Sequence, residues 1–237
     1  MTRRRWIADE VSAGHAALTG SHADHLNRVL RATEGQEFDI VAGGTVHRAR
    51  ITKIIEGRVD FELEEELPAV ALANLTLLLA IFKFDRMEWA IEKCTELGVA
   101  RIVPAIARRS DAHLVAAGVK RAERWRRIAL QASEQSRRTA PPEITDPKKL
   151  QDILDLGKMR IVLSEYEKQV QLRDLVDSPA DAGEAVLAIG PEGGWTDDEV
   201  EAFRKAQWAA ASLGSTILRA ETAAIAAVAI AMSALNG

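Results

Sequence analysis

The spacing of apolar residues changes once along the chain, near residue 70, and each pattern predicts a different kind of domain. Before that point QEFDIVA, TVHRARITKII and RVDFELEEEL read as strands, separated by hairpin turns at Gly43-Gly44 and Glu56-Gly57. SHADHLNRVLR (21–31) precedes them as a short helix with Ser21 as its N-cap. The EEELPAVALAN stretch around Pro68 is the best boundary. From residue 75 onward, fully apolar runs alternate with amphipathic ones. LTLLLAIF, ARIVPAI, MRIVLSEY, EAVLAIG and AAASLG read as strands. DRMEWAIEKCTEL reads as a helix ending at Gly98, and AAGVKRAERWRRIALQASEQSRR as a long basic helix halted before Pro141-Pro142. TDDEVEAFRKAQW is a helix between the last two strands, and a final helix follows ILRAET. Apolar strands alternating with helices predict a mostly parallel sheet covered on both faces. The expectation is an α/β protein (α+β counted as a whole) of two domains. Residues 1–70 form a small β-barrel or sandwich, and residues 71–237 an α/β domain.

Composition changes this picture little. The 237 residues are 47% hydrophobic and 28% charged, ordinary for a soluble globular chain. The single cysteine, Cys94, fits a reducing cytoplasm, and its mid-helix position without a nearby His argues against a nucleophile. No secretory leader is recognisable, and the apolar run Thr222–Leu235 is too short and too alanine-rich for a membrane span. The net charge of −4 gives no global signal for nucleic acid, but its distribution does. Residues 101–140 carry ten Lys/Arg against three Asp/Glu, whereas residues 141–237 carry nine against sixteen. Such a basic band is either a phosphate-binding face or the solvated side of an amphipathic helix.

The chemistry concentrates in two Gly-containing loops that end strands: Ile189-Gly190-Pro191-Glu192-Gly193-Gly194 and Leu213-Gly214-Ser215-Thr216. In open parallel sheets ligands sit at the carboxyl ends of strands, so both loops belong to the binding edge. Neither has a phosphate fingerprint: there is no G-x-G-x-x-G and no P-loop lysine. The helix after GPEGG opens with Thr196, Asp197, Asp198 and Glu199, where Thr196 and Glu199 fit a capping box. Its free N–H groups are partly occupied, and three carboxylates repel a phosphate. A neutral or cationic ligand suits the loop better. Arg219 and Glu221 lie just before the last helix, which Thr222 could cap, and Lys83 follows an apolar strand directly. His22, Asp24 and His25 lack a third strong ligand, so no metal is expected.

Together these residues resemble one family. HLNRVLR, FKFDRMEWAIEKCTELGV, ALQASEQSRR, AIGPEGGWTDDE and LGSTILRAETAA occur in the order found in the S-adenosylmethionine (SAM)-dependent RNA methyltransferases of the SPOUT superfamily. The resemblance is narrowest to the bacterial enzymes that methylate N3 of a uridine in 16S ribosomal RNA. It implies an N-terminal PUA-like, RNA-binding β-barrel and a SPOUT domain with a deep trefoil knot. It also implies an obligate homodimer acting in the cytoplasm on 16S ribosomal RNA within the small ribosomal subunit, without metal or membrane. SAM would be held by Leu163, Ser164, Ile189, Gly190, Pro191, Glu192, Gly193, Leu213, Gly214, Ile217 and Leu218. Arg219 would stabilise the developing uridine anion, with Lys83 and Arg86 as seconds, and Glu192 or Glu221 would accept the N3 proton or only fix a loop. RNA contacts would come from Arg3, Arg4, Arg5, Arg28, Arg31, Lys83, Arg86, Lys93, Arg137 and Arg138, mostly to the backbone. The rivals are a SPOUT enzyme for another RNA or base atom, a non-catalytic RNA-binding assembly protein, and a Rossmann-type nucleotide enzyme.

Overall fold

The computed structural model describes residues 5–69, 73–176 and 184–235. The chain divides into two compact units, one of residues 1–71 with 133–140, the other of residues 72–132 with 141–237. The sequence reading had assigned Gln135–Arg138 to the second domain; in the structure they group with the first.

In the first unit β1 (Trp6–Ile7), β2 (Glu10–Ser12) and β3 (His15–Thr19) lead into α1 (Gly20–Asp24), which a π-helical turn over His25–Val29 extends. Strands β4 (Glu37–Ala42), β5 (Thr45–Ile55) and β6 (Arg58–Leu67) follow. They make one six-stranded sheet in the order β1-β4-β5-β6-β3-β2, parallel only between β1 and β4. The β4–β5 hairpin turns where expected: Gly43 and Gly44 both have positive φ, as its two-residue turn requires. Strands β1–β3 are absent from the sequence reading because they are short and β2 is wholly exposed, which leaves no alternation to read. Ser21 is not the helix cap. The chain turns at Gly20, whose N–H donates to the Gly57 carbonyl, so the helix starts earlier, behind Thr19. Trp6, Leu18, Leu26, Ile40, Ile51, Val59 and Phe61 form the core of this unit.

The second unit contains β7 (Leu75–Ala80), α2 (Phe84–Glu96), β8 (Arg101–Ile106), α3 (Ala112–Gln135), β9 (Glu143–Ile144), β10 (Lys148–Lys149) and β11 (Met159–Leu163). After these come α4 (Leu172–Val176), β12 (Ala185–Ile189), α5 (Asp197–Lys205), β13 (Ala209–Ala211) and α6 (Ala220–Leu235). Every pairing in its seven-stranded sheet is parallel, in the order β10-β8-β7-β12-β11-β13, with β9 beside β10 on β8. Strands alternate between two cores. Leu75, Leu77 and Leu79 face the helical layer of α2, α3 and α6, while Leu78 and Ala80 face Trp195, Phe203 and Trp208. The same alternation holds in β12, with Leu187 on one side and Val186 and Ala188 on the other. This is why the sequence shows unbroken apolar runs here. Pro104, which cannot donate to a ladder, falls in the gap between the residues that pair with β9 and those that pair with β10.

Two helix ends differ from the sequence reading. α3 stops at Gln135, and Ser136–Arg138 leave it through Arg137 in the left-handed region, with Arg138 N–H donating to Ser133 O. α6 starts at Ala220, so Thr222 lies within its first turn and does not cap it.

Leu78 is fully buried under the aromatic layer. Leu78→Ala is expected to destabilise the second unit by roughly 2–5 kcal/mol in urea unfolding. Cys94 is fully buried on the core face of α2, and burial pushes its thiol pKa up. A thiol-specific disulfide reagent should leave it unmodified in the native protein at pH 8 and react fully once urea unfolds the chain.

Candidate functional site

Parallel strands bring their carboxyl ends to one edge, and there the second unit has a cleft of about 390 Å³. That size suits a small-molecule ligand. Ile189 at the end of β12 leads into Gly190, Pro191 and Glu192; Leu163 at the end of β11 leads into Ser164, Glu165 and Tyr166. β13 supplies Ala211 and the wall from Ser212 to Arg219, closed by Ala220 and Ala223 of α6 and by Arg86 of α2. The two glycine loops are not neighbours in the sheet. β11 lies between β12 and β13, so its own end completes the cleft.

The shape of the GPEGG loop follows from its residues. Gly194 N–H donates to Pro191 O at 2.8 Å, and Gly194 sits at φ +70, where an L side chain is strained. A Cβ at Gly190 would lie 3.3 Å from the Trp195 ring. Behind the loop the capping box forms: Glu199 N–H donates to Thr196 Oγ1, and Thr196 N–H donates to Glu199 Oε2 at 2.9 Å. Glu199 is buried, and its Oε1 accepts the N–H of Arg108 at 2.8 Å. The start of α5 therefore has its Glu199 and Thr196 N–H groups occupied and adds the negative charge of Asp197 and Asp198, which disfavours a phosphate.

Charges of both signs line the cleft: Arg86 and Arg219, Glu165 and Glu192. Arg86 Nε lies 3.8 Å from Glu221 Oε1. Glu221 does not line the cleft; it is buried in the first turn of α6, and its Oε2 has no hydrogen-bond partner. Its Oε1 is turned to Arg86. Exposed apolar groups mark the rim, with Tyr166 at 74% and Ile217 at 81% exposure.

Of the residues read from the sequence as SAM-binding or catalytic, Leu163, Ser164, Ile189, Gly190, Pro191, Glu192, Leu213, Gly214, Ile217, Leu218 and Arg219 line this cleft. Gly193 does not. Its carbonyl accepts from Arg109 Nη1 at 2.6 Å, and a Cβ there would meet the Arg109 side chain. The sequence reading missed Glu165, Tyr166, Ser212 and Trp195 in the lining, and Arg109 behind it. The strand-end rule that flagged GPEGG, applied to MRIVLSEY, would have found Glu165 and Tyr166.

The cations read as RNA contacts divide in two. Among the described residues, Lys83, Arg86 and Lys93 belong to the second unit. Lys83 is exposed before α2, and Lys93 is held between Glu92 and Glu96 at 2.7 and 2.8 Å, so a phosphate must compete for it. Arg5, Arg28, Arg31, Arg137 and Arg138 belong to the first unit; Arg3 and Arg4 lie outside the described residues. Arg28, Arg31 and Arg137 are exposed. Arg5 Nη1 donates to Arg137 O at 2.6 Å, and burial lowers its pKa. Burial pushes the pKa of Arg138 down to about 10, and its Nε donates to Ala140 O. These two fasten the 133–140 segment. In the basic band, Arg101 pairs with Glu143, Arg121 and Arg124 with Glu88, and Arg126 with Asp146. Much of its charge is thus neutralised. Of the histidines set aside as metal ligands, His22 lies 3.0 Å from Asp9 and 3.4 Å from the buried Glu134, and His25 meets Trp6 edge-on.

The family model of the RNA methyltransferase domain matches residues 70–232. Ribosomal RNA small subunit methyltransferase E of Rickettsia conorii is 35% identical over 212 residues, 88% of this chain and 85% of that protein. The protein of the same name from Mycobacterium tuberculosis is 35% identical over 225 residues, 90% of this chain and 84% of the relative. Among solved structures, the Neisseria gonorrhoeae methyltransferase E bound to S-adenosyl methionine superposes with a TM-score of 0.84. It is 31% identical, and the match covers 96% of this chain and 95% of that one. A Legionella pneumophila protein solved with SAM also gives a TM-score of 0.84, at 28% identity over 99% of this chain and 98% of its own. The mixed α/β fold is shared with these methyltransferases over nearly the whole chain, and the chain belongs to the RNA methyltransferase family, among the ribosomal RNA small subunit methyltransferases E.

Proposed function

We propose that this SAM-dependent ribosomal RNA methyltransferase transfers a methyl group to N3 of a specific uridine in 16S ribosomal RNA. One observation carries the reading of the cleft. A strand-end pocket of small-ligand size is bordered by a helix start that is already capped and acidic. That environment repels phosphate and tolerates a sulfonium cation. The residues present therefore fit SAM, which when bound supplies a methyl group on a positively charged sulfur. Backbone groups of Ile189–Glu192 and Leu213–Leu218 are suited to hold its adenosine and methionine parts.

The remaining work falls to this chain's own residues. Uridine N3 lies on the Watson–Crick edge, so the base must be unpaired or flipped before it can reach the cleft. Arg219, exposed on the cleft wall, stabilises the negative charge that develops as N3 loses its proton. Arg86, braced by Glu221, adds a second cation at the same wall. Glu192, exposed in the cleft, is the proton acceptor of this proposal; the buried Glu221 is not. Positioning of nucleophile, methyl carbon and sulfur in line supplies most of the rate.

The finer architecture belongs to the same proposal. The six-stranded sheet of the first unit is taken as a PUA-like barrel that contacts RNA through Arg28, Arg31 and Arg137. The chain around β12, β13 and α6 is taken as a trefoil knot. Helix α6 is apolar apart from Glu221, Thr222 and Ser233, and α2 leaves Trp89 half-exposed, which supports a homodimer that covers them. No described helix is long and apolar enough to cross a membrane, and the enzyme is placed in the cytoplasm with the small ribosomal subunit.

The test is transfer from labelled SAM to small subunits isolated from cells lacking this protein, followed by digestion and mass spectrometry of the nucleosides. The expected product is N3-methyluridine, and Arg219→Ala should cut the rate about a hundred-fold while retaining SAM binding. Label on another nucleoside would overturn the N3 assignment, and absence of SAM binding would overturn the cleft reading. Light scattering should give twice the chain mass; a monomer would sink the dimer.

A further inference from the structure

We propose that Arg109 is a positioning residue for the methyl donor: it clamps the Gly190–Gly194 loop in the shape that lines the cleft. The proposal rests on the reading of that cleft as the SAM site. Arg109 is in the loop that follows β8, a strand that contributes nothing to the cleft lining. Its guanidinium reaches across to the GPEGG loop, where Nη1 donates to Gly193 O at 2.6 Å and to Trp195 O at 3.3 Å. The contact continues along the side chain. A Cβ on Gly193 would lie 3.2 Å from Arg109 Cδ and 3.4 Å from its Cβ, so any side chain there presses the Arg109 side chain aside by a few tenths of an ångström.

The anchor is itself fixed on both sides. Arg108 N–H donates to Glu199 Oε1 at 2.8 Å, tying the loop to the buried carboxylate of the capping box. Ser110 Oγ donates to Ile81 O at 2.7 Å, just beyond the end of β7. Arg108, Arg109 and Ser110 thus join the ends of β7 and β8 to the start of α5.

The physical need for a clamp lies in the loop's composition. Three of its five residues are glycines, which retain the most backbone freedom before ligand binding. Where only a fraction of loops holds the binding shape, the apparent dissociation constant rises by the inverse of that fraction. A charged donor on two backbone carbonyls raises the fraction without touching the ligand. Its loss should therefore weaken SAM binding and leave the chemistry of the filled site intact.

Calorimetric titration of SAM into the full-length protein, with kinetics on small ribosomal subunits, tests this. Arg109→Ala is expected to raise the SAM Kd and KM about ten-fold, with kcat at saturating SAM and the melting temperature close to wild type. Arg109→Lys should fall between, since an ammonium lacks the planar fork but keeps the stem and charge. Gly193→Ala, which pushes against Arg109 from the other side, should raise Kd in the wild-type background. It should add little to Arg109→Ala. An unchanged Kd in Arg109→Ala would overturn the assignment, as would a fall in kcat at saturating SAM with Kd unaltered. If the alanine variant melts early, Arg109→Lys and Gly193→Ala decide the question by the same two readouts. Wild-type protein that binds no SAM would overturn the cleft reading and this assignment with it, a result seen before any variant is made.

Discussion

The insertion of β12 between β7 and β11, in parallel with both, is the constraint on which the rest of the catalytic unit depends. Because every strand of the sheet runs the same way, the chain leaves each of them at the same edge. The residues after Ile189, Leu163 and Ala211 are therefore brought together although they lie far apart in sequence. The same parallel geometry needs cover on both faces, which buries the central strands β7 and β12 completely. A ligand site built on such an edge takes its frame from the buried strands, and the loops complete it.

The loops then decide what the edge can hold. Helix starts commonly attract anions through free N–H groups, yet the capping box of α5 takes up part of that capacity internally. Glu199 is central to this. It is buried, and its two oxygens receive Thr196 N–H, Thr196 Oγ and Arg108 N–H. A carboxylate so supplied with donors is stable out of water, and it ties the helix cap to the strand edge in a single group. With Asp197 and Asp198 beside it, the helix presents negative charge where a phosphate-binding fold would present none. The preference for a cationic ligand is thus a property of the cap as much as of the glycines.

The first unit is held by a different device. Residues 133–140 join it through Glu134, whose carbonyl accepts Arg5 N–H and whose carboxylate lies beside His22 and the Ile7 N–H. His22 in turn sits against Asp9, which also accepts Thr19 N–H at 2.7 Å. Buried polar groups that are joined in this way specify one arrangement of the strands around them. Arg5 and Arg138 donate to backbone carbonyls, while the exposed Arg28 lies 3.6 Å from Asp24.

Period and turn chemistry alone made much of this legible. LTLLLAIF and EAVLAIG announced buried parallel strands, Gly43-Gly44 a hairpin, and Thr196 with Glu199 a capping box, because each of these is decided by neighbours within a few residues. The strand-end rule places GPEGG and LGST on one edge. What it could not supply was the sheet order. That order places β11 between the two loops and brings Glu165 and Tyr166 into the wall. Glu221 stayed open in the sequence between proton acceptor and loop support, and only the fold shows it buried, 3.8 Å from Arg86. Arg109 was one arginine in a basic band until the fold set it against Gly193, 84 residues away. The sequence by itself determined the local elements and the chemical character of the ligand loops, since local interactions settle both. Tertiary structure decided which side chains meet, because contacts between distant residues are fixed by strand order and burial, which no short stretch encodes.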